Sequence, residues 1–209
     1  MRLWTIQPLA VWQILERDGV FHTDPAQSEF VDDYPEGYDW IVRRLRQHAG
    51  PEPEGCKLPI WAWYRWQGAA RAKPDLRKVR HESTGEWVRI EVEIGEVDVL
   101  LSDFVAWYYC MCYWYLPSSE EDGHRFEKEL ERKGQNFYRT KPLPDPAYHA
   151  RIEQSWDQIL DLEWSGPDGS YVNDIKWVQA VFWELRREQV RDVTHFRGAW
   201  RKKKSRTGD

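Results

Sequence analysis

Between Trp87 and Ile94 apolar and polar positions alternate. Val88, Ile90, Val92 and Ile94 point one way, and Arg89, Glu91 and Glu93 the other, which is the period of two of a half-buried strand. Leu3 to Gln7 predicts a shorter strand that runs into a helix at Pro8, where a missing N–H costs nothing. Val11, Trp12, Ile14 and Leu15 recur at helical spacing, Gly19 stops the helix, and Val20 to Thr23 predicts a second short strand. Asp24 to Gly37 is turn-rich, and Tyr38 to His48 reads as an amphipathic helix with Ile41, Val42 and Leu45 inward. Beyond the Gly50–Gly55 loop, the large rings of Ile60 to Trp66 suit a strand covered on both faces, followed by a basic loop.

Val97 to Leu101 predicts another strand, and Ser102 or Asp103 caps an aromatic helix over Phe104 to Tyr115. The polar stretch Pro117 to Pro146 holds a helix from Arg125 to Lys133. Asp145-Pro146 opens a further helix with the stripe Ile152, Trp156, Ile159 and Leu160. After a turn at Gly166–Gly169, Trp177 to Leu185 reads as a late buried strand and Val193 to Phe196 as an edge strand. Strands near both ends with helices between them favour an α+β class over a doubly wound parallel sheet. The expected architecture is a single α+β domain over 1–200, with a small, twisted, aromatic-rich sheet flanked by helices. A basic, disordered tail is expected over 201–209.

Composition sharpens this picture. The chain carries 14 Trp, 10 Tyr and 7 Phe in 209 residues, so the core must be aromatic and most indole N–H groups need partners. The net charge is −5; five basic residues and one Asp make 201–209 +4, which leaves −9 on the rest. An acidic body disfavours broad nucleic-acid binding. No apolar run reaches the roughly 20 residues of a membrane span, and the N-terminus lacks the apolar stretch of a signal peptide. The 3 cysteines are too few for a disulfide framework, so a reducing cytoplasm is the expected location.

Trp61, Trp63 and Trp66, followed by Arg65, Arg71, Lys73, Arg77, Lys78 and Arg80, form the most suggestive chemical grouping. Guanidinium forks take phosphate in a bidentate way and indole faces stack on bases, whereas the bland reading is a core strand and a solvated basic loop. Glu91 and Glu93 read as a wet strand face neutralised by Arg89. Ser102 either caps its helix or helps hold an anion there. The 6 histidines show no close metal-ligand spacing, Cys110 and Cys112 diverge on a helix, and no metal is expected. Gly-rich phosphate loops and nucleophile elbows are absent from the sequence.

Leu3-Trp4-Thr5-Ile6-Gln7-Pro8, Pro59-Ile60-Trp61-Ala62-Trp63-Tyr64, Val99-Leu100-Leu101-Ser102-Asp103-Phe104 and Gln179-Ala180-Val181-Phe182-Trp183-Glu184-Leu185 together resemble a bacterial family known only as a domain of unknown function. The strand, Gly-terminated helix and strand over Trp4 to Phe21 also resemble the opening of compact ADP-ribosyltransferases, and Gln179 to Glu184 resembles their late Glu-bearing strand. That likeness implies an NAD-handling domain, with Thr5 and Gln7 beside the ligand, Trp61 and Trp63 as walls, and Glu184 as the catalytic acid. Glu184 would stabilise the oxocarbenium charge that develops as the nicotinamide–ribose bond breaks. The chain departs from that pattern in having no His in its first strand and Gln179-Ala180-Val181 in place of Gln-Ala-Glu. The alternative is a non-catalytic module whose aromatic cleft, with Trp61 and Trp63, and Arg-rich loop, with Arg65, Arg77 and Arg80, recognise a nucleotide, a nucleic-acid end or a protein partner.

Overall fold

The computed structural model describes residues 1–24, 32–80, 84–136, 143–170 and 172–199. The basic tail lies outside the described residues, as do residues 25–31 of the turn-rich stretch.

β1 (Arg2–Pro8) buries Leu3, Trp4 and Thr5 in succession, the mark of a strand covered on both faces. Pro8 ends it and α1 (Leu9–Asp18) follows; Gly19, at φ 77°, closes α1 by donating its N–H to the Leu15 carbonyl. The chain reverses into β2 (Val20–Phe21). After α2 (Pro35–Ala49), β3 (Ile60–Arg65), α3 (Leu76–Val79), β4 (Glu86–Glu93) and β5 (Leu100–Asp103) come α4 (Trp107–Met111), α5 (Glu120–Arg132) and α6 (Ala147–Ser155). β6 (Val178–Phe182), β7 (Leu185–Arg186) and β8 (Val190–Arg197) complete the described elements. Six strands form one antiparallel sheet in the order β5-β6-β3-β1-β4-β8, and β2 pairs with β7 in a separate ribbon.

The period of two sends each strand's side chains to two different cores. On one face Trp12 and Leu15 of α1 pack with Leu3, Ile60, Ala62, Val88, Ile90, Val92, Ala180 and Phe182. On the other, Leu100, Val181 and Trp61 meet the helical layer, which contributes Trp40, Ile41 and Leu45 from α2, Trp107 from α4, Phe126 from α5 and Ile152 from α6. Trp156 sits at the centre of that layer, fully buried. Its indole donates to the Trp114 carbonyl at 2.6 Å, and its ring meets Trp40 edge-on at 5.8 Å. The chain thus forms a single α+β fold with an aromatic-rich sheet between helices. No helix among the described residues is long and apolar enough to cross a membrane.

Several elements differ from their sequence expectation. The late strand expected over Trp177 to Leu185 ends at Phe182, and Leu185–Arg186 pairs with β2 instead of the large sheet. The helix expected from Arg125 to Lys133 begins at Glu120, where the Ser119 hydroxyl accepts from the Asp122 N–H. The strand expected over Val97 to Leu101 begins only at Leu100, because residues 96–98 form a tight turn in which Asp98 N–H bonds the Gly95 carbonyl and Val97 stands 74% exposed. The aromatic helix is shortened to Trp107–Met111: 104–106 are turn, and Tyr113 adopts a left-handed φ of 53° that folds the chain back. The edge strand starts at Val190, since pairing with β4 runs from Glu86↔Arg197 to Val92↔Val190.

Neither Ser102 nor Asp103 caps α4, whose N-cap is Ala106; Asp103 instead fastens the 104–106 turn ahead of it, its Oδ1 accepting from the Val105 and Ala106 N–H groups at 2.9 and 3.1 Å. Its Oδ2 lies 3.5 Å from Lys176 Nζ, with the two side chains 1% and 2% exposed. Lys176 also donates to the Leu162 and Trp164 carbonyls, so this buried cation ties the 161–176 segment to β5. Removing one member of a buried pair strands the other charge. Asp103→Ala is therefore expected to lower unfolding free energy by about 3–5 kcal/mol, and Asp103→Asn combined with Lys176→Met is expected to lose less; urea melts check both.

Candidate functional site

The segment after β3 turns sharply. Pairing between β3 and β6 shifts register between Trp63 and Arg65, and the chain then closes a small loop in which Trp66 N–H bonds the Ala72 carbonyl and Gln67 N–H the Arg71 carbonyl. Gly68 is required here: its φ is 78°, and a Cβ would lie 2.5 Å from the Asp174 carbonyl oxygen. Asp75 caps α3 through the Arg77 N–H at 3.0 Å. The segment is pinned to the outer face of β4 by Arg89 Nη1 on the Pro74 carbonyl at 2.8 Å and by Lys73 Nζ on Glu91 Oε2 at 3.2 Å.

Between this segment and β1 runs a groove of about 670 Å³, lined by Trp4, Trp66, Gln67, residues 69–73, Asp75, Arg77 and Lys78. Arg71, Lys73, Arg77 and Lys78 face one lining carboxylate, Asp75. Trp4 forms part of the floor. It stands in register with Trp63 and Glu91, and its indole donates to Glu91 Oε2 at 2.9 Å. Burial pushes the Glu91 carboxyl up, but the bonds from Trp4 and Lys73 and the charges of Lys73 and Arg2 outweigh it, so it lies below the ordinary carboxylate value. The Arg77 guanidinium holds Asp75 down to about 2. Lys78 bonds Gln67, whereas Arg71 has no ion pair among the described residues.

The expected ligand residues are dispersed by the fold. Arg77 lines the groove, and Trp63 backs it through edge-to-face contact with Trp66 at 4.7 Å. Arg65 turns away to Asn173 Oδ1 at 2.7 Å and lies over the Tyr64 ring. Arg80 follows α3 and is exposed. Thr5 is fully buried, donating to the Trp61 carbonyl at 2.8 Å and accepting from Gln7 at 2.7 Å. Trp61 packs on Trp107 and Tyr38 in the helical layer. Ser102 is fully buried opposite Gln179. Trp4 escaped the sequence reading; its signal was its position in a strand whose alternate residues, Leu3 and Thr5, face the other core.

Glu184 occupies the link between β6 and β7, where Oε2 lies 3.1 Å from His22 Nε2 and Oε1 accepts from Arg186 Nε at 2.6 Å. The pairings Ile60↔Phe182 and Arg65↔Val178 put Glu184 beyond the Ile60 end of β3 and the groove at its Arg65 end. A strand of 6 residues separates them by about 20 Å. Cys56 completes a cluster in which one donor atom each of His22, Cys56 and Glu184 lies within 4.8 Å of the others. Cys56 Sγ donates to the Trp183 carbonyl at 3.4 Å. Burial, together with the charges of Glu184 and Glu52, pushes its thiol up to about 11. Spacing along the sequence hid this convergence, because the three residues come from separate segments brought together by β2–β7 pairing, the Thr23–Leu58 bridge and the contact of Cys56 with Trp183.

Burial pushes the Glu184 carboxyl up, but hydrogen bonds from His22 and Arg186 more than offset this, leaving it below its ordinary value of 4.5. A depressed folded-state carboxyl stabilises the protein above its unfolded value, and that stabilisation is lost as pH falls through the folded value. Glu184→Gln is expected to cost about 1–2 kcal/mol at pH 7, with the gap to wild type closing in acid below the ordinary carboxylate range. Denaturant melts at a series of pH values read this directly.

No curated protein and no solved structure matches the chain. The family model described as domain of unknown function (DUF3841) matches residues 2–191, which takes in the groove, the sheet through the start of β8 and the Glu184 cluster, and the chain belongs to this family.

Proposed function

We propose that this domain is a nucleotide-binding module whose groove takes a phosphate-bearing aromatic ligand, such as ATP or NAD, between the 66–80 segment and Trp4. One observation carries the reading: Arg71, Lys73, Arg77 and Lys78 converge on one groove, where Asp75 offsets Arg77 and Glu91 offsets Lys73. Cationic forks and ammonium groups neutralise phosphates, and Trp4 and Trp66, each 8% exposed, offer the edge of a packed aromatic floor beside them. A single nucleotide suits it better than a long polyanion, because the charge outside 201–209 is −9. Arg71 is the cation freest to meet a phosphate, since Arg77, Lys78 and Lys73 each already hold a polar partner.

A transferase reading would need Glu184 beside the bound ribose. Glu184 is instead held by His22 and Arg186 beyond the opposite end of β3, so the binding role is the better supported of the two.

Thermal melts with ATP, NAD, adenosine, tripolyphosphate and a short single-stranded oligonucleotide test this. A nucleotide at 100 times its Kd stabilises by about 2.7 kcal/mol, a rise in Tm of about 5–10 °C for a domain of this size. The rise is expected with ATP or NAD, to be smaller with adenosine, and to vanish in Arg71→Glu, which touches no ion pair. No shift with any phosphate-bearing compound overturns the proposal, and a shift with the oligonucleotide alone moves it to nucleic acid.

A further inference from the structure

We infer that His22, Cys56 and Glu184 form a binding site for one divalent cation of the zinc class, at the opposite end of β3 from the groove and independent of any nucleotide role. His22 follows β2, Cys56 closes the 50–56 loop and Glu184 precedes β7, and their donor atoms lie within 4.8 Å of one another. Around a tetrahedral zinc, with bonds of about 2.0 Å to nitrogen or oxygen and 2.3 Å to sulfur, donor atoms sit about 3.3–3.6 Å apart. The His22–Glu184 separation of 3.1 Å is already close to that value, and a small inward movement of Cys56 completes the set. One imidazole, one thiol and one carboxylate suit zinc, whereas calcium and magnesium call for oxygen throughout.

The surroundings hold Glu184 and the Cys56 loop in place. The second Glu184 oxygen is fixed by Arg186, which leaves Oε2 facing His22. The Cys56 loop is tied down by Trp183, whose indole donates to the Gly50 carbonyl at 3.1 Å, and by the Cys56 N–H on the Pro53 carbonyl at 3.0 Å. Gly55 covers the imidazole, a Cβ there lying 3.4 Å from His22 Nδ1. His22 and Glu184 keep 29% and 16% of their side chains exposed, which gives a cation a route from solvent and leaves its fourth position to water. β2 and β7 are 2 residues each, and a bound ion would cross-link them to the 50–56 loop.

Coordination replaces the Cys56 S–H bond with a sulfur–metal bond and releases that proton to solvent. The charged and titratable groups around Cys56 are Glu184, Glu52, His22 and Arg186.

Titration of the purified protein with Co²⁺, followed by displacement with Zn²⁺, tests the site. One ion per chain, a near-ultraviolet thiolate-to-cobalt charge-transfer band and release of one proton are expected. The band should disappear in Cys56→Ala, and affinity should fall at least tenfold in His22→Gln and Glu184→Gln. Circular dichroism of the apo variants verifies that each is folded. Absence of the band from wild-type protein, or its survival in Cys56→Ala, overturns the inference. Because the readout uses the metal alone, its failure leaves the groove's nucleotide test untouched.

Discussion

Indole rings are too large to leave in water and too polar to bury without care, and β3 shows how this chain resolves that conflict. Trp61 and Trp63 project from the same face of one strand into different aromatic groups, Trp61 against Trp107 and Tyr38, Trp63 against Trp66, Phe104 and Trp177. Many of these contacts are edge-to-face, the arrangement the ring quadrupole favours, and each adds to the simple gain from burying the ring. The helical layer lies where it does because it must cover these rings, and α2, α4 and α6 all bring tryptophan or tyrosine to it. The opposite face is covered by α1 and the β2–β7 ribbon, because Leu3, Ile60, Ala62, Val88, Ile90 and Val92 are smaller and aliphatic.

That division explains where polar chemistry is left over. The helical layer covers the β5-β6-β3 side of the outer face; toward β1, β4 and β8 the outward residues are Trp4, Arg89, Glu91 and Thr194, and the 66–80 segment lies over them. A groove arises because a loop pinned at a few polar points cannot fill space as a packed helix does. At the other end of β3, the short β2–β7 ribbon and the loop ending at Cys56 bring His22 and Glu184 together. Both places are covered by loops rather than packed helices, and charged side chains are tolerated there.

Much of the architecture was legible in the sequence wherever one local rule acted alone. The alternation from Trp87 to Ile94 became β4, with Val88, Ile90 and Val92 fully buried. Gly19 ended α1 because a left-handed residue was needed there, and glycine adopts that conformation without strain. Of the stripe Ile152, Trp156, Ile159 and Leu160, the first three are buried as their spacing required, and Leu160 stays half-buried. Local rules failed where two competed. Phe104 to Tyr115 carries helical spacing, but Asp103 starts the turn early and Tyr113 reverses the chain, so only five residues remain in α4. Val97 has a strand former's side chain, yet the Gly95–Asp98 turn exposes it.

The sequence alone determined the class of fold, the aromatic character of its core and the basic character of the 65–80 stretch, because these follow from composition and from contacts within a few residues. Tertiary structure decided which cations share a groove, that Trp4 rather than Trp61 lies beside them, and that Glu184 meets His22 and Cys56 instead of Thr5 and Gln7. Those outcomes depend on strand order and register. Both are set by the simultaneous burial of residues far apart in the chain, so no local pattern of side chains encodes them.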